Sequence, residues 1–305
     1  MLETNVDGIF HKIMREPTLS RQALLTTAAF ASVSLLGTRP ALAAPSIQAK
    51  LDGANSAALL KPSNPGLSPP VELAFPKWLE GEWQASQQFA GYELPAKDVI
   101  PRDALFKEVD VPGFKKLSIA FLPDVGKEGV RYQMRWAADA AGVVREDRIF
   151  NFRSAIRGGL GYDAIERVDY KTDPNNQFGL GSNTGNPNRL KLVFAPGLTP
   201  NAERIELFIN EHESEQPEGR DDLFYTSEAL RQVTFSAGQT RQVNGEYAHF
   251  ISYRRVSETQ VNAICVTACY ADPLQLERFF IQVGPNRPLI VFSHGISLLK
   301  STVAV

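Results

Sequence analysis

Short segments in which apolar and polar side chains alternate recur along most of the chain. In the clearest of them, residues 130–136, Val, Tyr, Met and Trp alternate with arginine and glutamine, so that one face of an extended strand is apolar and the other polar. Similar segments occur at 81–90, 115–121, 143–152, 161–170, 189–195, 204–212, 229–236, 247–255, 260–269 and 288–293. Clusters of Gly, Pro, Asn and Asp separate them, and the connections are too short for the crossover helices of a parallel sheet. The sequence therefore predicts an all-β fold with an antiparallel sheet of about eight to ten strands.

One segment near the C-terminus has helical character. Leu274, Leu276, Phe279 and Phe280 form an apolar stripe within residues 273–280, at spacings typical of one helix face. We predict a single short helix there and no other in the folded domain.

The N-terminal segment has the organisation of an export signal. Arg21 precedes an apolar run of about 15 residues, which is shorter than the roughly 20 needed to span a bilayer. Small residues at Ala41 and Ala43 then form a signal-peptidase site. We expect cleavage between Ala43 and Ala44, with residues 1–43 removed and no membrane span in the mature protein.

The mature chain divides into an arm and a domain. Residues 44–74 are rich in proline and sustain no apolar period, which predicts a flexible arm. Residues 75–305 carry the alternating segments and are predicted to form a single β-barrel domain.

Composition and motifs exclude several classes of function. Lys+Arg 32 against Asp+Glu 34 leaves no basic excess, so nucleic-acid binding is not expected. His212, His249 and His294 lack metal-ligand spacing, and no metal site is predicted. The glycines of 158–161 lack the lysine and helix of a phosphate-binding loop, and we interpret them as a turn. We assign no catalytic residues and no cofactor, and leave open whether the chain is an enzyme.

The two cysteines lie four residues apart on a predicted strand. At about 3.3 Å per residue, the Cα atoms of Cys265 and Cys269 would be about 13 Å apart, too far for a disulfide. Two buried small side chains are therefore the favoured interpretation. A redox pair, which would need a turn or bulge, is the alternative.

Aromatic and arginine side chains on the strands are the candidate ligand-binding residues. Tyr132, Trp136 and Tyr253 would line an apolar interior, and Arg148 and Arg254 would bind a carboxylate or phosphate if the polar faces turned inward. The sequence does not decide which face is inside. Acidic residues of 147–169 alternate with arginines, and we expect most of them on a solvated, ion-paired face.

Gly81-Glu82-Trp83 opens the first predicted strand and resembles the start of lipocalin-like (calycin-type) barrels. The resemblance implies an antiparallel barrel in which Trp83 closes one end and an arginine from the last strands packs across it, with Arg254, Arg255 and Arg278 as candidates. Closure into a barrel also removes exposed sheet edges. We therefore favour a lipocalin-like barrel over a sandwich.

Longer stretches resemble an uncharacterised chloroplast and cyanobacterial family, domain of unknown function 6816. They are Phe75 to Trp83, Val111 to Lys116, Leu160 to Glu166, Pro187 to Leu190 and Tyr253 to Arg255. The resemblance implies a photosynthetic source and, with the leader, a location in the chloroplast thylakoid lumen or its cyanobacterial equivalent. It implies no activity.

Three functions remain in competition. The first is a non-enzymatic barrel that binds a hydrophobic or amphiphilic ligand, such as a lipid, a pigment or a tetrapyrrole derivative. The second is an assembly or stability factor that contacts a thylakoid membrane complex. The third is an enzyme that modifies a lipid or pigment with an Asp or Glu as acid, and a buried carboxyl with a raised pKa in a cavity would favour it.

Overall fold

Ten antiparallel strands form one strongly curled sheet in the part of the chain that the structure describes. The computed structural model describes residues 46–52, 59, 61, 71–122, 129–171, 187–199, 202–236 and 242–301. The strands are β1 Gly81–Glu93, β2 Val130–Ala138, β3 Val144–Glu146, β4 Ile165–Tyr170, β5 Arg189–Phe194, β6 Arg204–Glu215, β7 Leu223–Phe235, β8 Gln242–Arg255, β9 Gln260–Tyr270 and β10 Ile290–Lys300. The helices are α1 Ile47–Asp52, α2 Arg102–Phe106, α3 Arg148–Leu160 and α4 Glu277–Val283, with a 3₁₀ turn at Lys77–Leu79.

The strand order is up-and-down with one interruption. It runs β3-β2-β1-β10-β9-β8-β7-β6-β5-β4, so each strand lies beside its neighbour in sequence except at β3 and β4, and the first strand also pairs with the last. Trp83 is opposite Lys300 in that pairing. The sheet is therefore a half-barrel with β3 and β4 as its edge strands. The predicted antiparallel sheet of about ten strands is confirmed, in a mostly β fold that also has a few short helices, but the sheet forms a half-barrel and not the predicted barrel.

Helix α3 covers the edge of β2 that extends beyond its short pairing with β3. The backbone N–H of Gln133 donates to Ser154 Oγ at 2.8 Å, and that of Arg135 donates to Asn151 Oδ1 at 2.7 Å. On its other side, Arg153 Nη2 donates to the carbonyl oxygen of Ile165 in β4 at 2.9 Å. The helix thus supplies hydrogen-bond partners to β2 and to β4, on the two sides of the gap in the half-barrel. Without it, these backbone groups would be exposed to solvent or to another chain.

The strand predicted at 143–152 is wrong beyond its first residues. Asp147 caps a helix by accepting a hydrogen bond from Phe150 N at 3.1 Å, and Gly161 ends it with a φ of 85°. The glycines of 158–161, interpreted as a turn, thus form the end of α3. Capping residues outweighed the apolar, strand-like composition between them.

Two further expectations about the elements are corrected. Residues 115–121 form no strand: their backbone bonds instead to the buried side chain of Gln232, which accepts from Ala120 N and donates to Leu117 O. The chain also has more than one helix. The helix predicted at 273–280 is present as α4 but begins and ends later, at Glu277 and Val283.

The outer face of the sheet is covered by part of the predicted arm. Ile47 of α1 and Leu59 pack with Phe250 and Tyr270 in a separate apolar cluster. Tyr270 Oη donates to the carbonyl oxygen of Leu59 at 2.9 Å, and Ile47 N donates to Glu215 Oε2 at 2.7 Å. These described residues of the arm are therefore docked on the domain. No helix among the described residues has both the length and the apolarity to cross a bilayer.

Gly158 allows α3 to approach β2 closely, and its substitution gives a test of this packing. A Cβ atom at Gly158 would lie 2.4 Å from the carbonyl oxygen of Arg131, a contact that backbone atoms cannot relieve without shifting the helix. We expect Gly158→Ala to lower the free energy of unfolding by about 1–3 kcal/mol, although alanine has the higher helix propensity.

Urea denaturation followed by circular dichroism measures this change. Arg157→Ala, on the exposed side of the same turn, is the matched control and should change stability by less than about 0.5 kcal/mol. A stabilised Gly158→Ala protein would contradict the close packing of α3 on β2.

Candidate functional site

A row of polar side chains crosses the concave face of the sheet. In register, His212 of β6 is opposite Glu228 of β7, Glu228 is opposite His249 of β8, and His249 is opposite Thr267 of β9. Residues paired in this way point to the same face. His212 Nδ1 lies 3.4 Å from Glu228 Oε1, and His249 Nδ1 lies 2.9 Å from Thr267 Oγ1. The four side chains therefore form a continuous polar row inside the half-barrel.

Helix α3 adds Arg148 to this row. Because Asp147 caps the helix, Arg148 is its first residue, and its side chain is only 4% exposed. Nη1 donates to Glu228 Oε2 at 3.3 Å, and Nη2 donates to Glu228 Oε1. Nη2 also lies 3.8 Å from Glu146 Oε2. The guanidinium is thus held in a forked pair by one carboxylate and faces a second.

The two glutamates at Arg148 have pKa values that move in opposite directions. Burial raises the pKa of Glu146, and the more distant charge of Arg148 does not reverse this rise. Burial acts on Glu228 too, but the charge of Arg148 and the hydrogen bond from His212 outweigh it and lower the pKa of Glu228 to about 2. Asn151 Nδ2 holds Glu146 by donating to its Oε1 at 3.2 Å.

His249 and His294, both buried on the concave face, are neutral at pH 7. Burial lowers the pKa of His249 and that of His294 to about 4. Each has one ring nitrogen without a hydrogen-bond partner among the described residues, Nε2 in His249 and Nδ1 in His294. An unpaired polar atom in a protein interior is unusual, and it often indicates a water or ligand.

A cavity of about 30 Å³ lies against this polar row. Its polar lining comprises Glu146, Arg148, Thr226, Glu228 and His249. Its apolar lining comprises Leu73, Phe75, Phe121, Met134, Phe152, Leu230, Tyr247, Ile251 and Tyr253. The volume is room for one or two water molecules. The sheet, helix α3 and the residues preceding β1 all contribute to the walls.

The structure brings some of the predicted ligand-binding residues together. Arg148 and Tyr253 line the cavity. Trp136 is buried with its ring 6.1 Å from that of Tyr253. Tyr132 is buried beside them, and its hydroxyl donates to Gln87 Oε1 at 2.8 Å. Arg254 is 61% exposed and lies near Asp222, away from the cavity.

Trp83 is fully buried at the start of β1, and Gly81 adopts a φ of 122° beside it. The cation over its ring is Lys300 Nζ, 5.4 Å from the centroid. Arg255 lies over Trp78 instead. The expectation of an arginine across Trp83 is therefore wrong, and the end of β10 supplies a lysine because it is the residue opposite Trp83.

Cys265 and Cys269 are free and buried on the continuous strand β9. Burial raises the pKa of both thiols, that of Cys265 to about 12. At neutral pH they are protonated and poor nucleophiles.

Sequence reasoning missed Glu146, Glu228 and His249 as members of one site. The sequence of β8 contains a signal, because His249 occupies an alternate position in a series that is otherwise Tyr247, Ile251 and Tyr253. Glu228 similarly stands between Thr226 and Leu230 on the inward face of β7. A polar residue at an inward position of an alternating strand marks a buried polar site. The predicted segment 288–293 stops one residue before His294, which lies within β10 and is buried.

The buried histidines predict how stability depends on pH. A histidine with a pKa of 6.5 when unfolded and about 4 when folded binds its proton mainly in the unfolded state between these values. Stability is therefore complete above pH 6.5 and falls as the pH decreases toward 4. The expected loss between pH 7 and pH 5 is about 2 kcal/mol per histidine.

Urea titrations at the two pH values check this expectation. The raised pKa of Glu146 acts in the opposite direction, so the histidine contribution is isolated with His294→Gln. This variant should lose about 2 kcal/mol less than the wild type on acidification. An unchanged pH slope in the variant would contradict a neutral, buried His294.

The comparisons with known proteins give a family and nothing more specific. The model of a domain of unknown function, DUF6816, matches residues 68–301. No curated protein and no solved structure matches the chain. The predicted cleavage site, Ala43 and Ala44, lies outside both this match and the described residues. The match extends from before the 3₁₀ turn to the end of β10 and includes every residue of the polar row, so the chain belongs to the DUF6816 family.

Proposed function

We propose that this protein binds a small amphiphilic molecule, such as a lipid, a pigment or a tetrapyrrole derivative, on the concave face of its half-barrel. The observation that carries the proposal is the group of buried ionisable side chains around a cavity, with Arg148, Glu146, Glu228 and His249 as its members. A hydrophobic core needs none of them, and their burial opposes folding. Departures from simple core packing of this kind concentrate at functional sites.

The calycin-type resemblance supports the same proposal. We interpret the half-barrel as a lipocalin-like sheet that is open between β3 and β4, since β1 pairs with β10 in an otherwise up-and-down order. The Gly81-x-Trp83 start, with Lys300 over the indole ring, fits this interpretation. Barrels of this kind are used to enclose ligands in their interior.

A ligand larger than water needs more room than 30 Å³. Two of the covering side chains, Leu73 and Phe75, precede β1 and belong to no strand or helix. Phe75 is held by a hydrogen bond from its N–H to Val144 O and by ring contacts with Trp136, Phe224 and Tyr253. We propose that this segment moves aside and that the ligand's apolar part takes the place of the two side chains.

Native mass spectrometry of the mature protein from a photosynthetic host tests the binding. We expect a reproducible small-molecule adduct on residues 44–305, with a visible absorption band if the ligand is a pigment. Thr226→Leu, which fills the cavity, should remove the adduct. Arg254→Ala, which changes an exposed neighbour of Tyr253, should retain it.

A bare mass from the host would contradict ligand binding. The result would favour the alternative function, an assembly or stability factor, and deletion of the arm would be the next experiment. We further propose that the protein works in the thylakoid lumen, on the basis of its leader. Recovery from the lumenal fraction with Ala44 as the first residue is the expected result.

A second candidate function is favoured by Glu146 alone. A largely buried carboxyl whose pKa is raised, beside the ionised Glu228 at the same cavity, is the arrangement of a general acid with an anionic partner. If the protein modifies a lipid or pigment, we expect a product that forms on incubation with host extract and disappears in Glu146→Gln. A product that persists in this variant would exclude Glu146 as the acid.

A further inference from the structure

The polar end of the cavity is unsuited to an anion. Among the described residues that line it, Arg148 is the only arginine or lysine. Both of its terminal nitrogens already donate to Glu228, and Glu146 faces the same guanidinium. A carboxylate or phosphate would therefore meet a neutralised arginine and the negative charge of Glu228, which like-charge repulsion disfavours.

The polar atom that does lack a partner is uncharged. His249 is 6% exposed, lines the cavity, and has no hydrogen-bond partner at Nε2 among the described residues. Its other ring nitrogen lies 2.9 Å from Thr267 Oγ1. A neutral imidazole nitrogen pairs with a neutral donor or acceptor, according to its tautomer. Glu146 adds a second hydrogen-bonding group, and burial raises its pKa.

We propose that the site selects ligands whose polar end is an uncharged oxygen function, a hydroxyl or a carbonyl, that hydrogen-bonds to His249 Nε2. This inference deepens the proposed function and rests on it. It excludes the alternative in which inward arginines hold a carboxylate or phosphate. A carbonyl only accepts and therefore requires the tautomer with hydrogen on Nε2, whereas a hydroxyl can donate to or accept from the imidazole and fits either tautomer.

Calorimetric titration of the mature chain with three probes of equal chain length tests the inference. 1-Decanol, 2-decanone and decanoate share an apolar chain and differ at the polar end. At pH 7.5 we expect one of the two uncharged probes to bind about tenfold or more tightly than decanoate. The stronger of the two shows which uncharged group the site prefers.

A pair of histidine variants separates this selectivity from general preference for neutral molecules. His249→Leu should weaken binding of the preferred uncharged probe about tenfold, the value of one hydrogen bond, and leave decanoate unchanged. His294→Leu is the matched control, because His294 is equally buried and also has an unpaired nitrogen but does not line the cavity. It should leave all three affinities unchanged.

The failures are distinguishable. If none of the three probes binds, the proposed function itself is contradicted. If decanoate binds as tightly as the uncharged probes, ligand binding stands and the inference about the polar end is overturned. Equal weakening by the two histidine variants would also overturn it, since only His249 borders the cavity.

Discussion

The unpaired edges of a sheet that curls without closing are the constraint on which this structure depends. Backbone groups at a buried edge must find partners, and here they find them in the side chains of one helix. Asn151 and Ser154 of α3 take the place of a neighbouring strand for β2, while Arg153 bonds to β4. The helix must lie close to do so, which Gly158 permits. The same placement carries Arg148, at the first turn of α3, onto the concave face. The position of α3 therefore both covers the gap in the sheet and completes the polar row.

The alternating strands were predictable because each is a local pattern. Residues 130–136 turn their apolar side chains inward and their polar ones outward, as their alternation indicates. The neighbouring segment failed because local signals conflict there. The apolar residues after position 147 fit a strand, and only the capping role of Asp147 and the terminal glycines indicate a helix. The site was less predictable still. Glu146 of β3 and Glu228 of β7 both contact Arg148 of α3. These residues come from three different elements, and no spacing in the sequence predicts that they lie close together.

The buried charges are informative because folding does not require them. An ion pair such as that of Arg148 with Glu228 gains attraction in the interior but loses hydration, and the two effects nearly offset each other. Apolar residues of similar volume would serve the core equally well. Removing one partner is a different matter, since the remaining charge would be buried without compensation. Substitution of a single charged member of the row is therefore expected to destabilise the fold. The row makes one end of the interior polar, and the aromatic rings of Phe75, Trp136 and Tyr253 form an apolar wall against it.

The pairing of the first strand with the last has a consequence for how the chain acquires its structure. Trp83 and Lys300 are opposite each other in the sheet although they lie 217 positions apart in the sequence. Contacts between such distant parts of a chain form slowly. Strand β1 can pair early with β2, but its other side must wait for the final residues of the domain to be synthesised. The sheet thus has two parts that are each continuous in sequence, β1 to β3 and β4 to β10, and the pairing of β1 with β10 joins them. Deletion of β10 would remove the pairing that joins β1, β2 and β3 to the other strands of the sheet.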